Sequence, residues 1–519
     1  MSGTAQADPA GSPVPPIARL LRNRSRLQRV TNIELFFDLV YVFAVTQLSH
    51  YLLDHSTVPG ALRAGLLLVM VWLVWSYTTW VTNWLDPDRM AVRLLLVVLM
   101  LISLAMSVSL PRAFEDLGLW VGASYAVQQI GRTVFMVIAL RGHVLQANFE
   151  RILVWSVASG AFAVAGGLVH GSARYLLWLA AVGLDVAGGA VGFYTPGLGR
   201  SRTSDWTIEG GHFAERCQAF MLIALGESIV IIGATLTSKP VTASDVTAFV
   251  VAFVGSVALW WLYFDQSAEA AAEKIARSDD PGRLGRSAYH LIHPVMVAGI
   301  IVSAAADQKV LSGPAATAST ASAWMILGGP ALFLAGHVAF KLVVWRYVSW
   351  SRVAGIAVLA LLALAAKAIP ELGLAACAAG LVAAVAATDR LPWLPGPPAE
   401  VALRLASHPA VRVDLDRLGV RVRPPQRHGH HARLHHLQAL EEAGELLRAA
   451  EIVGHRTATV VALLRLVECL VGVGAVVERE IAAGGQARHQ AVHDGIGLVV
   501  GEVAHDAHQH EGNGFAEIE

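Results

Sequence analysis

The sequence predicts an all-α fold, a polytopic transmembrane helical bundle of about 12 spans, on three observations. Of 519 residues, 55% are hydrophobic and 15% charged, where a soluble domain carries about 25% charged residues. Apolar stretches of roughly 20 residues, the length that crosses a bilayer core, recur through the first three quarters of the chain. Lysine and arginine gather in alternate connections, as they do in proteins that cross a membrane repeatedly.

In chain order the spans fall at 33–53, 62–83, 91–110, 117–140, 151–169, 174–194, 215–237, 245–265, 288–305, 322–345, 352–369 and 371–388. Only Lys367 to Pro370 separates the last two, so a single re-entrant hairpin is the alternative there. With the N-terminus in the cytoplasm, the inner segments carry 20 Lys and Arg and the outer segments 6. The bias holds loop after loop, which supports that orientation and an even number of spans. Met1 to Pro16 is polar and rich in Pro and Gly, without the apolar core of a signal peptide, so the first span serves as its own insertion signal.

Five regions follow. Residues 1–30 form a disordered, basic, cytoplasmic N-terminus, 31–194 a first transmembrane half, 195–214 a cytoplasmic connector and 215–390 a second half. Residues 391–519 form a low-complexity, poorly ordered tail with 12 of the 20 histidines. Asp38 with Thr46, and Glu227 with Thr235, share an eight-residue spacing. Chance and duplication of a six-helix unit both account for this echo.

Composition excludes several classes. A net charge of zero argues against a nucleic-acid partner. Cys217, Cys377 and Cys469 form no CxxC pair, so no disulfide framework is expected. The tail histidines His428, His430, His431, His435 and His436 lack the ordered Cys/His spacing of a structural zinc site, so neither a metal nor a cofactor is expected.

Candidate site residues are the polar groups inside apolar runs. A carboxylate at the centre of a span costs about 2.5–3.5 kcal/mol on insertion scales, so it faces protein or water and has work to do. Glu34 and Asp38 are four apart on one helix face, where two neighbouring carboxylates hold a proton or share a cation. Glu34 also suits the start of a helix, where the dipole favours an acid. Glu227 lies deeper, between Gly226, which permits close backbone approach, and Ser228. Arg132 stands in a polar stripe with Ser124 and Gln128 and needs an anion, for which Asp38, Asp185 and Glu227 are the candidates. Asp185 sits mid-span near Gly188, Gly189 and Gly192. His212 with Glu215, His290 with His293, and His337 with Lys341 add groups that can carry protons, or that are merely solvated at an interface. The helical positions suggest one water-filled chamber opening to the cytoplasm and lined by both charge signs.

Two motifs carry a family resemblance. The run from Glu34-Leu-Phe-Phe-Asp38 to Thr46-Gln-Leu-Ser49 resembles the opening signature of the bacterial low-temperature-requirement A family. The run from His212-Phe-Ala-Glu215-Arg216 to Gly226-Glu227-Ser228 resembles its second signature. The resemblance covers roughly residues 20–390 and excludes the tail. It implies a multispanning protein of the bacterial cytoplasmic (inner) membrane, named for a cold-growth phenotype and without a settled activity. It marks Glu34, Asp38, His212, Glu215, Arg216 and Glu227 as characteristic residues without supplying their roles.

Three functions stay open. The first is a transporter or permease for a small solute or ion, coupled to protons or cations through the intramembrane carboxylates. The second is an ion channel, since the first-span pattern Phe-Phe-Asp is similar to the Phe-Ser-Asp first helix of a potassium-channel family with six-helix repeats. The third is a membrane enzyme acting on a lipid-linked substrate, which no nucleophile motif supports. The expected partners are the lipid bilayer and an unidentified solute, with oligomerisation left open.

Overall fold

A computed structural model describes residues 20–22, 29–203, 206, 208–237, 240–265 and 267–389. Most of the predicted N-terminal segment and the whole tail lie outside these residues. Among the described residues the fold is all-α, with no β-strand. The helices are α1 (Asn32–Asp54), α2 (Val58–Trp84), α3 (Met90–Ser109), α4 (Gly118–Ala139), α5 (Gln146–Leu168), α6 (Gly171–Ala190), α7 (Gly210–Thr237), α8 (Ala243–Phe264), α9 (Ser267–Ala276), α10 (Pro281–Leu284), α11 (His293–Ser312), α12 (Thr320–Trp345), α13 (Trp350–Ala365) and α14 (Glu371–Thr388).

Every expected span has its helix. The short α9 and α10 and a π-helical turn over Gly285–Ile292 fill the connection between α8 and α11. The last two spans are two separate helices, joined by a short turn at Ala366–Ala368. Ten segments are long and apolar enough to cross a membrane; α4 and α6 are not among them. Their lower hydropathy has a cause: α4 buries Gln128, Gln129 and Arg132, and α6 buries Arg174 and Asp185. Arg174, at the start of the sixth span, donates to the carbonyl oxygens of Ala113, Glu115 and Val169 and so ties together the ends of three helices.

Helix starts follow local chemistry. Thr31 precedes α1, and its N–H and hydroxyl both donate to Glu34 Oε2, at 3.0 and 2.9 Å. Thr242 and Asp245 repeat the arrangement at α8. The outward faces of α3 and α13 are apolar, with Leu101, Leu361 and Leu364 exposed. In water such a surface would be a liability; against lipid it is the expected solvent boundary.

α1 packs on α2, α3, α7 and α11 and leaves Leu35, Phe36 and Leu39 exposed, so it joins early helices of the chain to later ones. Trp72, Trp75, Trp80 and Trp84 of α2 are all buried. They meet Phe220 and Phe213 of α7 and Trp206 in edge-on and tilted ring contacts, forming the core between α2 and α7. α11 and α12 approach closely because Gly299 lies against the Phe333 backbone, where an added Cβ would meet the amide nitrogen at 2.5 Å.

Candidate functional site

Near the starts of α1 and α7, four charged side chains form one buried network. Arg216 grips Asp38 with two bonds, Nη2 to Oδ1 at 2.5 Å and Nε to Oδ2 at 2.8 Å. Its Nη1 donates to Glu34 Oε1 and to the Thr82 hydroxyl, each at 3.1 Å. Arg22 Nη2 holds the other Glu34 oxygen at 2.7 Å. Trp75 Nε1 donates to Asp38 Oδ1 at 2.6 Å. Glu34, Asp38 and Arg216 are each 0% exposed, so this network has almost no solvent to screen it.

His212 sits among Asn83, Glu34 and Arg22. Asn83 is fixed by the Glu209 backbone, whose N–H donates to Oδ1 at 2.8 Å and whose carbonyl accepts from Nδ2 at 2.9 Å. Asn83 Nδ2 is therefore a donor, and His212 Nδ1, 3.3 Å away, accepts from it. Its Nε2 lies 3.1 Å from both Glu34 Oε1 and Arg22 Nη2, between an acceptor and a donor. The guanidinium groups of Arg22 and Arg216 face the carboxylates of Glu34 and Asp38, and these four charges cancel. Bidentate guanidinium–carboxylate geometry and full hydrogen bonding are what make such a buried set tolerable.

A second network lies between α2, α4, α5 and α6. Asp185 Oδ2 accepts from Tyr125, from Gln129 Nε2 at 2.9 Å and from Ser159 Oγ at 2.9 Å. Arg132 donates to Gln129 Oε1, to Thr78 Oγ1 at 3.2 Å and to the Val74 carbonyl at 3.3 Å. Arg132 thus reaches Asp185 through Gln129, not directly, and neither Asp38 nor Glu227 is its partner. The expected stripe divides: Gln128 turns to Ser103 of α3 at 2.7 Å, while its neighbour Gln129 makes the bridge.

A third network joins α12, α13 and the end of α14. Arg352 pairs with Asp389 through both nitrogens and donates to His337 Nδ1 at 3.3 Å. His337 is 0% exposed, and its Nε2 has no partner among the described residues. Lys341 is buried beside this group. His290 and His293 are buried rather than interfacial, bonded to Ser76 Oγ at 2.6 Å and Tyr263 OH at 2.7 Å.

Glu227 stands apart from these networks. It is 2% exposed, and its Oε1 has no hydrogen-bond partner among the described residues. Its neighbours are Thr46 and His50 of α1. Gly226 does not bring a second backbone close, because nothing lies within 4 Å of where its Cβ would be. Glu215 is exposed and takes a 3.4 Å bond from the Val30 N–H. The single chamber expected from the helical positions is instead several separate polar groups, with α2 shared by the first two. Arg22, Trp75, Asn83, Gln129, Arg352 and Asp389 were missed, because a sequence does not say which face of one helix meets which face of another.

No metal-binding group of three or more His, Cys, Asp or Glu occurs among the described residues. No solved structure matches the chain. An uncharacterized protein of Rhizobium meliloti (strain 1021) is 36% identical over 328 residues, spanning 63% of this chain and 80% of that protein. A family model described as Bacterial low temperature requirement A protein matches residues 29–387, a stretch that contains α1 to α13, nearly all of α14 and both signature motifs. The chain is therefore a multi-pass membrane protein belonging to the bacterial low temperature requirement A (LtrA) family.

Proposed function

We propose that this protein is a transporter of a small solute or ion in the bacterial cytoplasmic membrane, with its N-terminus inside, and that Glu227 is the group that loads and releases the coupling proton or cation. One observation carries the reading: Glu227 is a buried carboxyl near the middle of a long span, and one of its oxygens is unpartnered. At 1.5 Å per residue it lies roughly 25 Å from the start of α7, whose full length is roughly 42 Å. An acid kept there without a matching cation is expensive, which is the usual mark of an ion or proton pathway. Thr46 supplies a hydroxyl beside it and His50 an exposed titratable ring.

Glu34, Asp38, His212 and Arg216 have a different part in this reading. Their charges are matched, so they hold α1, α2 and α7 in register instead of exchanging a cation. Asp185 with Arg132, and His337 with Arg352, brace the two halves 31–194 and 215–390. Glu215 lies at the cytoplasmic rim.

The test is flux in proteoliposomes containing the full chain and a trapped pH-sensitive dye, under an imposed membrane potential and a sodium or potassium gradient. Wild type should move protons, and Glu227→Gln should lose that movement while staying folded. Equal proton movement in both would refute the role of Glu227.

A further inference from the structure

A further polar feature lies among α8, α11, α12 and α14. A cleft of about 40 Å³, room for an ion with about two waters, opens between α8, α11, α12 and α14. Its wall is mostly Ala, Val, Leu and Ile, and the polar side chains on it are Ser256, Ser303 and Asp307. Asp307 is half-buried, and no hydrogen bond or ion pair from another described residue reaches its carboxylate. Ser303, one turn earlier on the same face of α11, has a buried hydroxyl oxygen without a partner. Gly329 of α12 leaves the space this hydroxyl occupies, since a Cβ there would lie 2.5 Å from Ser303 Oγ.

The same stretch of α12 supplies a third kind of oxygen. Pro330 stands inside the helix and also lines the cleft. Proline has no N–H, so the carbonyl of Ile326, four residues back and likewise on the cleft wall, lacks its α-helical donor. A carboxylate, an unused hydroxyl and a freed main-chain carbonyl therefore gather at one apolar cleft with no Lys, Arg or His on its wall. Oxygen-only sets select hard cations over transition metals. A single carboxylate in a low-dielectric wall is neutralised by one positive charge, which favours a monovalent ion. Broken helices with free carbonyls hold coupling cations in other membrane proteins for the same reason.

We propose that this cleft binds a small monovalent metal cation, sodium being the probe of choice, through Asp307, Ser303 and the Ile326 carbonyl. The site does not depend on the role given to Glu227. The experiment is thermal unfolding of the purified full chain in detergent, titrated with sodium chloride against choline chloride at constant ionic strength. Sodium should raise the midpoint saturably and choline should not. Asp307→Asn should abolish the response, Ser303→Ala should weaken the apparent sodium affinity about tenfold, and Glu227→Gln should leave it intact. An equal effect of choline, or a full sodium response in Asp307→Asn, would overturn the site. If Asp307→Asn does not fold, the sodium-against-choline comparison on wild type and the Ser303→Ala shift decide the question, and absence of either rejects the proposal.

Discussion

Removing Arg216 exposes how the buried charges depend on one another. The side chain makes two bonds to Asp38, one to Glu34 and one to Thr82, all without solvent. In Arg216→Met only Arg22 remains to face two carboxylates, and the network carries a surplus negative charge. In Asp38→Asn the surplus is positive, because Arg22 and Arg216 then share Glu34. Breaking one member of a buried pair costs about 3–5 kcal/mol, much of it for the stranded charge. The double variant Asp38→Asn/Arg216→Met leaves Arg22 facing Glu34 and restores neutrality. Its loss should be smaller than the sum of the single losses by at least about 1 kcal/mol, since contacting charges couple by about 0.5–3 kcal/mol. Unfolding in detergent with increasing sodium dodecyl sulfate, followed by tryptophan fluorescence, measures all four corners of the cycle. Single losses below about 1 kcal/mol, or strict additivity, would refute the claim that these charges act as one buried unit.

Two further outcomes separate close packing from open space and fix the direction of the chain. Gly299→Ala should destabilise by about 1–3 kcal/mol, because its Cβ meets the Phe333 backbone. Gly226→Ala should stay within about 0.5 kcal/mol, having nothing nearby to strike; equal thermal shifts for the two would contradict the packing described. A phosphatase that is active only outside the cytoplasm, inserted in the connection between α3 and α4, should be active, while the same enzyme fused before α1 should be silent. The reverse pattern would invert the bundle.

The spans were legible because a bilayer demands long apolar helices, and that demand is written residue by residue. Contacts between helices were not, because they depend on the rotation of each helix about its axis. The sequence shows Glu34 and Asp38 on one face of α1, and it shows Arg216 in the second motif. It does not show that these faces meet. Arg132 was legible as a cation in need of a partner, yet the bridge to Asp185 runs through Gln129, one position off the expected stripe. Asp307 escapes for a simpler reason: the apolar run of the ninth span ends at residue 305, two residues short of it. Gly226 misled because a glycine signals only the absence of a side chain, and here no neighbour fills the gap.

The separation along the chain between the partners in the first network bears on how the protein is made. Glu34 and Arg216 are 182 residues apart, and Asp38 and Arg216 are 178. At bacterial synthesis rates of about 5–20 residues per second, roughly 10–35 s pass between the emergence of the acids and that of their arginine. During that interval α1 holds two acids whose main counter-ion has not yet been translated. α1 is thus among the last of these helices to settle, waiting for the arginine that α7 brings.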